Sequence, residues 1–194
     1  MDLIVLVHGF GAKRLFMWPL ACLLRARGFR VQHWSYVSFF EPIEKHATRF
    51  AKYLQKISET EDHFHIVAHS MGSIVVQASL NRGALPKLGR LVLLAPPNRG
   101  SPIARIASKI IGRIIVPTHE LSDSNTSYVN QLERTSSVEV GIVAARFDVL
   151  VPIENTHLTN EKSHVVINAT HNSLLVSKKA SNLIARFLTH GSFG

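Results

Sequence analysis

Short apolar runs alternate along the chain with longer segments in which apolar residues recur at helical spacing. Residues 3–7 and 91–94 are apolar at consecutive positions, as in central strands that helices cover on both faces. The pattern predicts six strands, at residues 3–8, 30–36, 64–69, 90–95, 138–145 and 164–168. Because helical segments connect most successive strands, we expect the strands to run parallel in one sheet.

Helical spacing predicts four connecting helices, and glycines follow several of them as stop signals. The helices are expected at residues 16–27, 43–59, 71–81 and 172–189. The stretch at about 97–137 is too long for a plain connection and carries its own helical pattern at 103–115, so we interpret it as a lid-like insertion. The predicted fold class is α/β: one domain over residues 1–194, a three-layer αβα sandwich with a mostly parallel sheet of about six strands.

Composition agrees with a buried sheet and narrows the class of protein. The chain has 194 residues, of which 46% are hydrophobic and 18% are charged. The charged fraction lies below the roughly 25% of typical soluble domains, which excludes a disordered chain. The single cysteine, Cys22, cannot form an internal disulfide. No apolar run approaches the about 20 residues of a membrane span, and the sequence does not open like a secretory signal, so we expect a cytoplasmic protein.

The net charge of +9 raises the question of a polyanionic partner. Basic residues occur in runs of at most two and no nucleic-acid motif accompanies them, so nucleic-acid binding is not expected. The pattern at 103–115 places isoleucines on one helix face and Arg105, Lys109 and Arg113 on the other. Three interpretations stay open: a helix on an anionic membrane surface, a mobile lid, or a helix packed on the sheet with a solvated basic face.

Candidate chemistry begins with Ser70, which stands between a buried strand and a helical segment. The turn from strand to helix at such a serine is so sharp that the residues two positions away must be small, and here they are Ala68 and Gly72. The turn would expose the hydroxyl at a helix N-terminus, where amides and the helix dipole favour a developing oxyanion. The spacing therefore predicts a nucleophile elbow, with a plain helix N-cap as the alternative.

A serine nucleophile needs a base, and the base needs an orienting carboxylate. His171 follows the last predicted strand by three residues, where the final helix is expected to begin, and is the predicted base. Asp148 follows the preceding strand, at the carboxyl end where parallel sheets place their ligands, and is the predicted acid. Asp123 and Glu154 lie in the same half of the chain and are the alternatives for the acid.

The loop at residues 8–11 follows the first strand and contains glycines that let its backbone approach a ligand. The predicted oxyanion hole consists of the N–H groups of Phe10 and Met71. Trp18, Phe10 and Phe147 either line an acyl pocket or belong to the core. The remaining histidines show no spacing typical of a metal site, so no metal is expected.

Four motifs in this order resemble the α/β-hydrolase family, and more narrowly its small serine lipases and esterases. They are His8-Gly9-Phe10-Gly11, Ala68-His69-Ser70-Met71-Gly72, Asp148 with Val151-Pro152, and His171 ahead of the last helix. Residues 96–101 also look like the segment that follows the strand after the elbow in many lipases. The chain departs from the family in two respects: Ala68 stands where glycine is more common, and the outer antiparallel strands are absent. It therefore looks like a minimal core of the family's fold.

The resemblance implies hydrolysis of carboxylic esters through an acyl-enzyme on Ser70, with a small ester or a lipid as substrate and no cofactor. It also implies that His8 and His69 chiefly support the site loops by hydrogen bonding. Two other functions stay open, because a fold does not fix a function. They are acyl transfer by the same three residues and a non-catalytic module that contacts an anionic membrane surface or another partner. The sequence leaves the oligomeric state open.

Overall fold

The computed structural model describes residues 1–12, 14–83, 85–111, 116–132 and 138–194. The strands are β1 (Leu3–Val7), β2 (Arg30–Trp34), β3 (Phe64–His69), β4 (Leu88–Leu94), β5 (Glu139–Ala145) and β6 (Ser163–Ile167). They form one parallel sheet in the order β2-β1-β3-β4-β5-β6. The predicted number and direction of the strands are confirmed, and each strand begins and ends within two residues of its predicted bounds.

Helices connect these strands and cover the sheet. Within the described ranges they are α1 (Trp18–Arg25), α2 (Ile43–Thr60), α3 (Met71–Leu80), α4 (Pro102–Ile111), α5 (Val116–Glu120), α6 (Tyr128–Gln131) and α7 (Lys178–His190). Short 3-10 turns precede α1 and α7 and follow β5. Among the described residues, no helix has both the length and the apolar character that crossing a membrane requires.

The core lies on both faces of the sheet, because successive strand residues point to opposite sides. In β1, Leu3, Val5 and Val7 belong to the apolar cluster that includes α2 and α3. Ile4 and Leu6 belong to the cluster that includes α1 and α7. All five side chains are buried, which explains why β1 is apolar at every position. The structure is therefore the predicted αβα sandwich.

The last helix begins later than predicted. A 3-10 turn at Ser173–Val176 comes first, and Ser177 then has an extended backbone. The Ser177 hydroxyl accepts a hydrogen bond of 3.1 Å from the amide of Ala180, which makes it the N-cap of α7. Residues 172–177 therefore belong to the loop after β6 rather than to the helix. Gly191, with φ 76°, ends α7 as the sequence predicts.

The long connection between β4 and β5 contains α4, α5 and α6. The helix predicted at 103–115 is confirmed at 103–111, whereas residues 112–115 lie outside the described residues. The side chains of Lys109 and Arg113, which the predicted basic face includes, also lie outside them. Ser101, just before α4, donates from its amide to the carbonyl oxygen of Leu121 at 2.8 Å, so the two ends of the α4–α5 segment meet.

Candidate active site

Ser70 occupies the turn between β3 and α3, where its backbone has φ 52° and ψ −128°. A positive φ is uncommon for a residue with a side chain, and such strain costs about 1–3 kcal/mol. The Ser70 amide donates to the carbonyl oxygen of Leu94 at 2.9 Å, and the Ser73 amide donates to that of Ser70 at 2.9 Å. The neighbouring strand and the helix thus hold the sharp turn that the sequence predicts here. The role of the hydroxyl stays a prediction.

The loop after β1 packs directly against this turn, and two glycines make the contact possible. A Cβ atom on Gly72 would lie 2.5 Å from the carbonyl oxygen of His8 and 2.8 Å from that of Val7. A Cβ atom on Gly9 would lie 2.8 Å from the Cβ of Ser70. A side chain at either glycine would therefore push the loop away from Ser70. Gly72 is small for the reason that the elbow spacing predicts.

His8 anchors this loop through its ring. The amide of Tyr36 donates to His8 Nε2 at 3.2 Å, so the neutral ring carries its proton on Nδ1, which donates to the carbonyl oxygen of Gly9 at 2.9 Å. The Tyr36 hydroxyl donates to the carbonyl oxygen of His8 at 2.9 Å, and the two rings stack with centroids 4.5 Å apart. Burial lowers the pKa of His8, which favours the neutral ring. The supporting hydrogen bonds expected of His8 are present.

The two amides predicted for the oxyanion hole lie in this loop and at the start of α3. Within the described residues, neither the Phe10 amide nor the Met71 amide donates a hydrogen bond to a protein acceptor. The neighbouring amides are occupied: that of Gly11 donates to Ser38 Oγ at 2.9 Å and that of Ala12 to the carbonyl oxygen of Gly9 at 3.4 Å. Gly11 has φ 67°, a value that favours glycine. The loop is therefore fixed while the Phe10 amide stays available to a ligand.

Asp148 and His171 form a short, buried hydrogen bond. The distance from His171 Nδ1 to Asp148 Oδ2 is 2.6 Å, and the two side chains are 8% and 1% exposed for His171 and Asp148 respectively. The second carboxylate oxygen accepts from the amides of Leu150 at 2.9 Å and Val151 at 3.0 Å. Because a carboxylate only accepts, His171 donates from Nδ1 and, when neutral, has Nε2 as its acceptor atom.

The surroundings of Asp148 favour its charged form. Burial acts to raise the pKa of Asp148, but the hydrogen bond from His171, the charge of His171 and the two amides outweigh burial, so the pKa lies below its ordinary value. The alternative acids are engaged elsewhere or lie on the surface. Asp123 pairs with Arg105 at 3.0 Å, from Nε to Oδ1, and Glu154 is exposed. Among the described residues, Asp148 is the carboxylate that contacts His171.

His69 connects the loop of His171 to the turn that carries Ser70. Its Nε2 donates to the carbonyl oxygen of His171 at 3.1 Å, and the two ring centroids lie 4.7 Å apart. Burial, followed by the charge of His171, lowers the pKa of His69 to about 3, so this ring is neutral at pH 7. In the described part of the chain, no hydrogen bond joins the Ser70 hydroxyl to His171. Such bonds often form only when substrate is present.

An apolar cavity of about 160 Å³ opens beside Ser70. Phe10 lines it, as one of the two interpretations of that residue predicts. Trp18 and Phe147 do not line this cavity and are 57% and 59% exposed, so the interpretation that they belong to the core is wrong. The buried face of α1 comprises Leu20, Ala21 and Leu24, which leaves Trp18 outside it.

Much of the cavity wall comes from the segment between β4 and β5. The residues of this segment that line it are Pro97, Ser101, Ile103, Ala104, Ala107, Thr118 and Leu121. Sequence reasoning did not assign these residues to the site. The available signal was the helical spacing of Ile103 and Ala107, which places them on one face of α4.

Two buried amide side chains, which the sequence did not mark, connect α3 to the segment after Asp148. Gln77 in α3 donates from Nε2 to Asn98 Oδ1 at 2.8 Å, and Asn98 donates from Nδ2 to the carbonyl oxygen of Thr156 at 2.6 Å. Buried amides need partners, so these contacts have a well-defined geometry. They fix the position of the acid loop relative to the helix that begins after Ser70.

A second cluster of ionisable groups lies at the opposite end of the sheet, where Asp2, His63 and His65 could hold a metal ion. The amide of Arg90 donates to His65 Nδ1 at 2.9 Å, so the neutral ring carries its proton on Nε2. That atom faces Asp2 at 3.6 Å and would have to lose its proton to bind a metal. The residues present therefore fit a metal poorly, and the expected absence of a metal stays a prediction.

Comparison with known sequences gives one family. A sequence model of the alpha/beta hydrolase family matches residues 4–134. None of the curated proteins matches the chain.

Comparison with solved structures identifies similar folds among lipases and esterases. The chain is similar to the mature lipase BlEst2 from Bacillus licheniformis, with a TM-score of 0.78, 15% identity, and coverage of 97% of this chain and 91% of the lipase. It is similar to phospholipase PlaB from Legionella pneumophila, with a TM-score of 0.80, 14% identity, and coverage of 99% of this chain but only 59% of the phospholipase. A thermophilic esterase from Thermogutta terrifontis gives a TM-score of 0.65, 18% identity, and coverage of 97% and 90%. At such low identities these likenesses establish the fold alone.

Proposed function

The chain belongs to the alpha/beta hydrolase family, and we propose that it hydrolyses carboxylic esters through an acyl-enzyme on Ser70. The observation that carries the proposal is the 2.6 Å hydrogen bond between His171 and Asp148, in a loop that His69 connects to the strained turn at Ser70. The lipase and esterase among the similar structures support an ester or a lipid as the substrate.

In the proposed reaction, Ser70 Oγ attacks the carbonyl carbon of the ester while His171 Nε2 takes the hydroxyl proton. The amides of Phe10 and Met71 donate to the oxyanion of the tetrahedral intermediate. The bond to the alcohol oxygen then breaks, and His171 returns the proton to the departing alcohol. Water attacks the acyl-enzyme with the same proton transfers, which releases the acid and restores Ser70. Asp148 stays ionised, holds the Nδ1 proton of His171 and stabilises the imidazolium.

The size of the cavity bears on the acyl group. A cavity of about 150 Å³ holds a benzene molecule in other proteins, and the cavity beside Ser70 measures about 160 Å³. It therefore suits an acyl group of about six carbon atoms. We expect hydrolysis of p-nitrophenyl esters to be fastest for short acyl chains and to decrease for longer ones.

Covalent labelling by a fluorophosphonate tests the proposed nucleophile. The probe reacts with activated serines, so mass spectrometry should find one label per chain, on the peptide that contains Ser70. Ser70→Ala should abolish the label, whereas Ser124→Ala, in a serine of the β4–β5 connection outside the cavity wall, should retain it. Labelling at another residue, or no labelling of the folded protein, would refute the proposal. Adding an alcohol acceptor during turnover then separates hydrolysis from acyl transfer.

A further inference from the structure

Exposed apolar side chains are concentrated at one end of the molecule. In the described part of the chain, twelve large apolar residues are exposed, and Met1 is the only one at the amino end of the strands. The other eleven, which we call the apolar rim, are Leu15, Phe16, Trp18, Val37, Phe39, Phe40, Ile103, Ile106, Phe147, Val149 and Val176. Single exposed apolar residues are ordinary, but such a concentration marks an interaction surface.

The parallel sheet explains why these residues share one end. Because all six strands run in the same direction, the segments that follow them all begin at the carboxyl end. The apolar rim comes from the segments after β1, β2, β4, β5 and β6, and the segment after β3 is the turn of Ser70. Five stretches of chain that are distant in sequence therefore present apolar side chains around the candidate active site.

The apolar rim is continuous with the cavity beside Ser70. Phe39 packs edge-on against Phe10, with ring centroids 5.0 Å apart, and Phe40 follows with a centroid distance of 6.0 Å from Phe39. Phe10 lines the cavity, so these rings connect its wall to the surface. Ile103 also lines the cavity and is itself 42% exposed. A molecule that leaves an apolar phase at the rim would thus meet apolar contacts as far as Ser70.

Exposed basic side chains lie on the same segments as the apolar rim, at the carboxyl end of the strands. Arg99, Arg146, Lys178 and Lys179 are exposed after β4, after β5 and at the start of α7, and none has an acidic partner among the described residues. Among the described residues at this end, Glu154 is the exposed acidic residue without a basic partner. The surface around the rim is therefore positively charged, which favours an anionic partner and opposes contact with a second copy of the same face.

We propose that the apolar rim docks on an anionic phospholipid surface. Apolar side chains enter the boundary between headgroups and acyl chains, while the surrounding lysines and arginines contact the phosphates. This orientation would place the mouth of the cavity against the lipid. The inference goes beyond the proposed function and does not depend on it, because docking requires no turnover.

The test measures vesicle binding of Ser70→Ala, so that catalysis cannot contribute. We expect this variant to float with vesicles of phosphatidylcholine and phosphatidylglycerol, and to bind more weakly to pure phosphatidylcholine and at high salt. Trp18 lies in the rim, whereas Trp34 packs against Tyr36 in the fold. Brominated lipids should therefore quench tryptophan fluorescence, and Trp18→Phe should remove most of that quenching.

Substitutions separate the apolar and the electrostatic contributions to vesicle binding. Each of Phe16→Ser, Phe40→Ser and Phe147→Ser should weaken vesicle binding about tenfold, whereas the same residues changed to Leu should retain most of it. Removing the charges of Lys178 and Lys179 should weaken binding about fivefold each. The matched control removes the charges of Lys52 and Lys56, which are exposed on α2 away from the rim. This change should leave vesicle binding unaffected. Because all these side chains are exposed, the melting temperatures should stay unchanged.

Three outcomes would overturn the proposal. The first is failure to bind anionic vesicles, and the second is equal weakening by the Lys52 and Lys56 control. The third is a dimer, detected by sedimentation, that dissociates when the three Phe→Ser changes are made. That result would show that the rim contacts a second copy of the chain. Hydrolysis of a soluble ester, measured separately, distinguishes failure of docking from failure of the proposed function.

Discussion

The two ends of the parallel sheet differ in where charged side chains form ion pairs and where the backbone is strained. At the amino end lies a cluster of paired charges: Arg90 Nε lies 2.7 Å from Glu139 Oε2, and Lys162 also contacts Glu139. At the carboxyl end lie the two non-glycine residues of the described chain that have positive φ, Ser70 and Ala95. Among the described residues, backbone strain at residues with side chains therefore lies at the carboxyl end of the sheet.

The carboxyl end also has the apolar rim and the amides of Phe10 and Met71, which have no protein acceptor among the described residues. Energetically unfavourable local features, such as backbone strain and exposed apolar side chains, occur mainly at functional sites, and the rest of the structure offsets their cost. Within the described residues, strain, amides without a protein acceptor and exposed apolar surface all lie at the end that holds the Asp148–His171 pair, and the Arg90–Glu139–Lys162 pairs at the other end lack these features. Changes at the carboxyl end should therefore alter activity, and changes at the amino end should alter stability slightly.

Replacing Ser70 with glycine should have the largest effect. We expect kcat for an ester to fall by about 10⁶, because the proposed nucleophile is lost. The melting temperature should rise by a few degrees, because glycine adopts φ 52° without strain. Ser70→Ala should lose the same activity without the stabilisation. A melting temperature for the glycine variant below that of the wild type would contradict the account.

Asp148→Asn should lower kcat by about 10⁴, because the amide no longer stabilises the imidazolium of His171. It should also change acid unfolding. The pKa of Asp148 in the fold lies below its unfolded value of about 3.9, so the carboxylate stabilises the fold above that pH and the stabilisation is lost as the pH falls. Below about pH 4, the free energy of unfolding should therefore fall less steeply in the variant.

The control for this prediction is Asp62→Asn, in an exposed residue at the amino end. It should change neither kcat nor the shape of the acid unfolding curve, measured by circular dichroism. If Asp148→Asn and Asp62→Asn changed kcat to a similar extent, Asp148 would have no specific role in the reaction.

His69 should act as a positioning residue. His69→Asn cannot reach the carbonyl oxygen of His171, whereas His69→Gln keeps a donor near the position of Nε2. We expect kcat to fall about tenfold in the Asn variant, with KM unchanged, and to stay near the wild-type value in the Gln variant. Equal kcat values for the two variants would exclude this role.

The same two variants should flatten the pH dependence of stability. His69 has a pKa of about 3 in the fold and about 6.5 when unfolded. The fold therefore favours the neutral ring, and its stabilisation is complete above about pH 6.5 and lost as the pH falls toward 3. Removing the imidazole should reduce the loss of unfolding free energy over that interval, measured by urea unfolding at each pH. An unchanged slope in both variants would contradict this.

Glu139→Gln should have the smallest effect. It breaks the pairs with Arg90 and Lys162, which are partly exposed, and such pairs contribute about 0–1 kcal/mol. The change should be visible in urea unfolding at low salt and should shrink as salt is added, while kcat stays constant. A loss of activity in this variant would show that the amino end of the sheet also contributes to the active site.

The sheet could be predicted because its signal is local. The observed bounds of β3, Phe64–His69, equal the predicted ones, since all six residues are buried and a turn follows at once. The boundary at Ser177 was missed because a serine hydroxyl competes with helical backbone bonds only where the packing lets the chain turn. The spacing of apolar residues indicates which side chains are buried, but it does not indicate where a serine caps a helix.

The proximity of Asp148 and His171 could be predicted because each follows a strand of the same parallel sheet. The contacts of Asn98 could not be predicted. Asn98 contacts Gln77, which lies 21 positions before it, and Thr156, which lies 58 positions after it. No spacing in the sequence indicates these contacts. The cavity wall could not be predicted for the same reason, since Ile103 and Leu121 line one cavity only after the connection between β4 and β5 has folded.

The most direct test of the central claim is acid quenching during hydrolysis of p-nitrophenyl butyrate, followed by mass spectrometry of the peptides. We expect a butyryl group on the peptide that contains Ser70, formed as fast as the first equivalent of p-nitrophenol is released and absent in His171→Ala. Turnover at the wild-type rate without that adduct, or with the adduct on another residue, would contradict it.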